Sequence, residues 1–171
     1  MIKVTETSPY IAFSKEVAEL LKDQLGDKFP IKGKIETSVQ SFSVAPPITS
    51  RSNHWTTGSL HRDGGMNKGE PFYLSVMVFI EEVTELNGGI EFFENSIDAV
   101  IDEKKPIRTT SLLKSFTITG EKGTVLMWDV KKLHRGGANK SDEFRTVMVF
   151  QVHPADFHLE QDKYLKFNHE I

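Results

Sequence analysis

Apolar positions recur along the chain with two different periods. Val17, Leu20, Leu21 and Leu25 return every three or four residues, the spacing that puts side chains on one face of an α-helix. Ser14 is placed as an N-cap with Phe13 before it as a staple residue, and Gly26 is placed to close the helix. Beyond Gly26 the helical period disappears. Lys34 to Val44 alternates loosely and stops at Pro46-Pro47, and Phe72 to Ile80 is apolar on both faces, as a central buried strand must be. Asn87-Gly88-Gly89 is a turn signal, after which Ile90 to Phe93 resumes as a strand. Leu112 to Thr119, Gly123 to Trp128 and Glu143 to His153 complete the predicted strands. Between them, Ala45 to Ser59 reads as a long loop of the kind that serves as a lid, and Ser96 to Lys105 holds a candidate helical turn before Pro106. From Pro154 onward the tail is polar and predicts no element.

One helix followed by about eight short strands predicts a mainly β fold, a jelly roll or small barrel. No internal repeat or composition shift divides the chain, so residues 1–171 are expected to form a single domain.

Composition narrows the function. With 38% hydrophobic and 26% charged residues, the chain has the make-up of a soluble globular protein. A formal net charge of −3, with no basic stripe, does not fit a nucleic-acid binder. The absence of cysteine excludes disulfides, thiolate metal sites, iron–sulfur clusters and a Cys nucleophile. The stretch from Met1 to Tyr10 lacks a signal peptide's apolar core, and the run from Val76 to Ile80 is too short to cross a bilayer. A cytoplasmic location without a membrane partner is the expectation.

The candidate chemistry lies in histidines and one arginine. Of six histidines (His54, His61, His134, His153, His158 and His169), His61 stands two residues before Asp63. On an extended segment residues i and i+2 face the same way, so both side chains reach one ion. With a second imidazole they would make the two-His, one-carboxylate triad of non-haem iron(II) oxygenases, which leaves positions open on the metal. Alone, His-x-Asp reads more readily as a surface histidine near an acid. Gly64-Gly65 lets the backbone turn sharply after Asp63. Far downstream comes Leu133-His134-Arg135-Gly136-Gly137-Ala138-Asn139, and then Arg145 on the strand face it shares with Val147 and Val149. An arginine aimed into an apolar interior needs an anionic partner, best a carboxylate that its guanidinium can grip twice. The alternative is a rim arginine paired with Asp142 or Glu143. His153, His158 and His169, in the last strand and tail, are expected at the surface.

Three segments together resemble the 2-oxoglutarate/iron(II) dioxygenase superfamily, in its phytanoyl-CoA dioxygenase-like group: LHRDGG at Leu60–Gly65, NGGIEFF at Asn87–Phe93, and GTVLMWDVKKLHRGGANKSDEFR at Gly123–Arg145. The Gly-Gly turn also resembles the prolyl-4-hydroxylase-like branch. The resemblance implies a double-stranded β-helix (a cupin-like jelly roll) with a few flanking helices and iron bound at one mouth. It implies His61, Asp63 and His134 as ligands of Fe(II), and Arg145 as the grip on the distal carboxylate of 2-oxoglutarate. Ligands at a barrel mouth are expected to carry little core packing. Gln40, on the strand before the lid, is a candidate hydrogen-bond partner of 2-oxoglutarate, and Trp55, beside His54, a candidate wall of the pocket; both read as well as structural residues. Dioxygen and a small-molecule or peptide substrate are the implied partners. Asp63 fills the position that halogenating relatives leave open, which implies hydroxylation with release of succinate and CO2. Where the family often has Pro-Gly-Ser-His, this chain has Glu94-Asn95-Ser96-Ile97, so the substrate does not carry over. The rival readings are a cupin-type metal-dependent isomerase and a non-catalytic jelly-roll binding module.

His61-Arg62-Asp63 also matches the opening of a protein-kinase catalytic loop. That pattern needs Asn five positions after its Asp, where this chain has Lys68, and no Asp-Phe-Gly or phosphate loop is present.

Overall fold

The computed structural model of the protein describes residues 9–47, 60–64, 72–94 and 114–156, and only the backbone at 9–12 and 39–41. Helix α1 runs Pro9–Leu25 and passes into a 3-10 turn, Gly26–Lys28. It begins five residues before the expected cap. Proline tolerates a first helical turn because its missing N–H has no partner there anyway. Ser14 is therefore not an N-cap: it lies inside the helix, fully buried, and shares a 2.9 Å hydrogen bond with the Thr37 hydroxyl. A serine before an apolar run suits a cap or a buried tertiary contact, and here the contact prevails. Gly26 ends the helix as expected, at φ 49°. Val17 and Ala18 carry the buried face, while Leu20 is 53% exposed.

Seven strands follow among the described residues: β1 Ile35–Ala45, β2 Leu74–Phe79, β3 Ile90–Phe93, β4 Ser115–Ile118, β5 Val125–Asp129, β6 His134–Gly136 and β7 Arg145–Pro154. All pairs are antiparallel, in a four-stranded sheet ordered β1-β7-β2-β5 and a three-stranded sheet ordered β4-β3-β6. The larger sheet is apolar on both faces, which explains why β2 is buried at every position. Leu74, Val76 and Val78 join Met148, Phe150 and Val152 on the outer face, against Val17 and Ala18 of α1. Met77, Phe79, Trp128 and Val147 turn inward to meet Ile90 and Phe92 of the smaller sheet. Phe150 is wholly buried in the outer layer. Truncating such a residue to Ala costs about 3–5 kcal/mol, a large part of the roughly 5–15 kcal/mol that holds a domain folded. Two facing antiparallel sheets with crossing connections make the double-stranded β-helix that the sequence implied.

Two of the three Gly-Gly pairs, Gly88-Gly89 and Gly136-Gly137, have a shared packing cause. Gly137 donates to the Gly89 carbonyl at 2.9 Å. A Cβ on Gly88 would lie 2.5 Å from the Gly137 oxygen, and one on Gly137 would lie 2.5 Å from the Gly89 oxygen. Only bare backbone permits that approach, which locks the β3 turn to the end of β6. Asn87 caps the same turn, its amide oxygen accepting from Thr84 N at 2.7 Å.

β6 was not expected as a strand, because three residues are too few to show alternation. His153 is a correction to the expected surface role: it is 5% exposed, with Nδ1 donating to the Pro154 carbonyl at 3.0 Å. The expected lid from Ile48 onward, with His54 and Trp55, lies outside the described residues, as do the turn at 96–105 and the tail with His158 and His169. Among the described residues no helix is long and apolar enough to cross a membrane.

Candidate functional site

The segment carrying His61 lies extended beside the chain leading into β6. His61 and His134 exchange backbone hydrogen bonds, both 3.0 Å, and Asp63 N donates to the Val130 carbonyl at 3.0 Å. Arg62, between them, sends Nε to the Lys131 carbonyl at 2.8 Å. This pairing makes His61 and Asp63 same-face neighbours, as their spacing implied. Gly64 follows because Tyr73 stands there: a Cβ would lie 1.8 Å from the Tyr73 hydroxyl oxygen.

Three side chains converge. Asp63 Oδ1 is 3.6 Å from Nε2 of His61 and 3.6 Å from Nε2 of His134. One ligand atom from each of the three lies within 4.8 Å of the others, forming a candidate metal group. With metal–ligand bonds of about 2.1 Å, adjacent ligands on an ion sit ~3 Å apart, so Asp63 Oδ1 has to close on each histidine by only about 0.6 Å to share a cation with it. Two imidazoles and one carboxylate suit a divalent transition metal with positions left open.

Each member of the group is prepared differently. His134 Nδ1 lies 2.9 Å from the Lys132 carbonyl. A carbonyl only accepts, so the proton is on Nδ1 and the Nε2 lone pair faces Asp63. Burial pulls the His134 pKa down, against the opposing pull of Asp63, and favours the neutral, ligating form. Phe92 stacks on its ring at 5.6 Å, and Trp128 meets it edge-on at 5.2 Å. At 5% exposure His134 is a core residue, which overturns the expectation of light packing at the mouth. His61 fits that expectation, its side chain 48% exposed on the open side of the group.

Burial pushes the Asp63 pKa up, but His61, His134 and Ser75 together outweigh it and hold the carboxyl below its usual value. Ser75 Oγ donates to Asp63 Oδ2 at 2.5 Å, leaving Oδ1 turned toward the histidines. Partners of this kind typically govern metal affinity by about 10–100-fold. Ser75→Ala is therefore expected to weaken cobalt(II) binding at least about tenfold, with far-ultraviolet circular dichroism unchanged. Calorimetric titration tests this, and an unaltered affinity would show the hydrogen bond to be idle.

Arg145 lies at the head of β7 on the inner face, 3% exposed. Its Nε and Nη1 are buried with no hydrogen-bond partner. Nη2 lies 3.6 Å from where a Cβ on Gly136 would stand, two residues from His134. The rim alternative fails, since Asp142 and Glu143 are exposed while Arg145 is not. Burial lowers its pKa, partly offset by the charge of Glu81, although a guanidinium remains charged in proteins. The Glu81 carboxylate is itself engaged, accepting from Thr146 N. Arg145 is thus a buried cation with unused donors, suited to a carboxylate. Gln40 is the extra residue of a bulge in β1, between Val39 opposite Phe150 and Ser41 opposite Val149; its side chain is outside the described atoms.

Sequence reasoning missed Ser75, Trp128 and Phe92. Ser75 carried a usable signal, a lone small polar residue inside an apolar central strand.

The sequence matches the phytanoyl-CoA dioxygenase (PhyH) family over residues 12–147. No curated protein sequence matches the chain. Among solved structures, AviO1 from Streptomyces viridochromogenes Tue57 is similar at 15% identity and TM-score 0.55, covering 89% of this chain and 88% of that one. The non-haem α-ketoglutarate-dependent carbocyclase SnoK from nogalamycin biosynthesis is similar at 15% identity and TM-score 0.55, covering 96% and 83%. EvdO2 from Micromonospora carbonacea var. aurantiaca, complexed with 2-oxoglutarate, is similar at 18% identity and TM-score 0.58, covering 91% and 64%. This chain thus spans less than two thirds of the EvdO2 chain. At these identities the likeness shows the fold.

Proposed function

The chain belongs to the phytanoyl-CoA dioxygenase (PhyH) family of 2-oxoglutarate-dependent non-haem oxygenases, and from that premise we propose that it hydroxylates a C–H bond of a small molecule or side chain. His61, Asp63 and His134 hold iron(II), and Arg145 holds 2-oxoglutarate. The observation that carries this reading is the Arg145 guanidinium, buried with two unpartnered nitrogens on the sheet face from which Ser75 and Trp128 touch Asp63 and His134. Neither a metal-dependent isomerase nor a binding module has use for such a cation.

When bound, iron with 2-oxoglutarate supplies dioxygen activation and C–H oxidation, with succinate and CO2 as co-products. This chain's residues supply position and dryness. The Lys132 carbonyl fixes the His134 tautomer, and Ser75 Oγ turns Asp63 so that one carboxylate oxygen faces the metal position. Arg145 offers Nε and Nη to the distal carboxylate, fixing the keto-acid end toward the ligands. Met77, Val147 and Phe92 line the interior and exclude water, which strengthens each of these polar contacts.

Adding iron(II) and then 2-oxoglutarate without oxygen is expected to produce a visible charge-transfer band, and oxygen should then release succinate. No band would refute the assignment. Product mass tests the reaction type: gain of one oxygen supports hydroxylation, whereas loss of two hydrogens would mean a desaturation or a ring closure like that named for SnoK. Because Asp63 occupies the third ligand position, chloride is expected to give no chlorinated product.

A further inference from the structure

Strand register brings four polar residues into one row across the larger sheet. Ser38 on β1 stands opposite Gln151 on β7, Gln151 opposite Ser75 on β2, and Ser75 opposite Trp128 on β5. Residues directly opposite in antiparallel strands point to the same face. That face is the inner one, because Ser75 reaches Asp63 from it and Trp128 touches His134 from it.

The row is polar where the rest of the inner core is not, and its atoms lack partners. Gln151 is 0% exposed and Trp128 7% exposed. Six buried side-chain nitrogens and oxygens without a hydrogen bond occur among the described residues: Nε and Nη1 of Arg145, both amide atoms of Gln151, Ser38 Oγ and Trp128 Nε1. All six lie on this one face. Buried polar groups are normally paired, so a concentration of exceptions calls for a missing partner. For Arg145 the proposed partner is 2-oxoglutarate. Gln151 stands six residues farther along β7, roughly 20 Å between backbones at ~3.3 Å per residue, so it is not part of the grip that Arg145 makes. It lies instead beside Ser75 and the ligand Asp63, where the substrate carbon must come.

We propose that Gln151, Trp128 Nε1 and Ser38 Oγ form a recognition row for the primary substrate, and that this substrate is a neutral molecule bearing several hydroxyl groups. The inference rests on the oxygenase reading and names its substrate class. The row contains no charged group, so it selects neither an anion nor a cation. Gln151 offers a donor and an acceptor, Ser38 can act as either, and Trp128 only donates. Adjacent strands lie about 4.8 Å apart, which spreads these groups over roughly 14 Å from β1 to β5. One carbonyl or amide answers one of them; hydroxyls on several carbons answer them all. A plain hydrocarbon chain would answer none and leave the amide unpaired.

The test uses enzyme loaded anaerobically with iron(II) and 2-oxoglutarate. The probes are methyl glucoside and myo-inositol as neutral polyols, with decanoate and 1-decanol as chain compounds. In the parent protein the polyols are expected to shift the charge-transfer band and to raise succinate release once oxygen is admitted, whereas the chain compounds do neither. Gln151→Leu, similar in volume though differently branched, should form the band with unchanged 2-oxoglutarate affinity but require at least about tenfold more polyol to shift it, a change of about 1.4 kcal/mol. Ser38→Ala should act in the same direction more weakly, and provides the test if Gln151→Leu folds poorly. A band that forms but responds to chain compounds rather than polyols, or to no polyol at all, overturns the proposal while sparing the oxygenase reading. So does a Gln151→Leu protein with the parent's polyol response. Absence of the band in the parent defeats the oxygenase reading itself.

Discussion

His61→Ala is expected to lose iron-dependent succinate release by more than a hundredfold with its melting temperature almost unmoved. Loss of an outer partner to a ligand already costs about 10–100-fold, and loss of the ligand itself must exceed that. The fold should not notice, because the His61 side chain is 48% exposed and its backbone bonds to His134 persist in an alanine. His134→Ala should lose turnover equally but also stability. Its ring is buried between Phe92 and Trp128, so truncation opens a cavity in the inner core. Large-to-small core changes cost about 2–5 kcal/mol, and each kcal/mol lowers the melting temperature of a domain this size by about 2–4 °C. Thermal melts with metal titration on both variants separate the effects. Turnover retained by His61→Ala would sink the ligand assignment; an unchanged melting temperature in His134→Ala would sink the packing account.

That contrast shows what the sequence conveys and what it withholds. His61 and Asp63 were legible because two residues on an extended segment need no tertiary information to share a face. Arg145 was legible for a similar reason, as a charge inside an alternating apolar strand. β2 could be read as a central strand from its unbroken apolar run, and β3 from the Asn-Gly-Gly turn before it. The start of α1 was misread because Ser14 suits a cap and a buried contact equally, and only Thr37, twenty-three residues away, decides between them. His153 looked superficial near a polar tail, yet β7 continues through it and buries it.

Register was the least accessible layer. Ser38, Ser75, Trp128 and Gln151 come from four strands whose order, β1-β7-β2-β5, inserts the last strand between the first two. Nothing local marks them as neighbours. The Gly-Gly pairs show the same limit: Gly88-Gly89 read as a turn and Gly136-Gly137 only as part of the His134 motif, but their mutual contact is a fact of β3 lying beside β6.

Arg145→Met is expected to raise the stability of the ligand-free protein while destroying its response to 2-oxoglutarate. The side chain pays a desolvation cost that no hydrogen bond to Nε or Nη1 offsets. Apolar replacement of buried ionic groups is often neutral or stabilising by about 1–4 kcal/mol, and methionine fills much of the same volume. Glu81 would not be stranded, since its carboxylate keeps its bond from Thr146 N. Binding moves the other way. Truncating one partner of a buried, hydrogen-bonded charge pair costs about 2–5 kcal/mol, which is about 30-fold to several thousand-fold in affinity. Arg145→Lys should be milder yet impaired, because an ammonium cannot reproduce the two-pronged grip. Cobalt(II) affinity without co-substrate should barely change in either variant, the ligand group being intact. Paired melts and titrations, with metal and 2-oxoglutarate added separately, read all of these. Arg145→Met melting well below the parent while still binding 2-oxoglutarate would make the arginine a structural residue, and the co-substrate site would have to be sought elsewhere on the inner face.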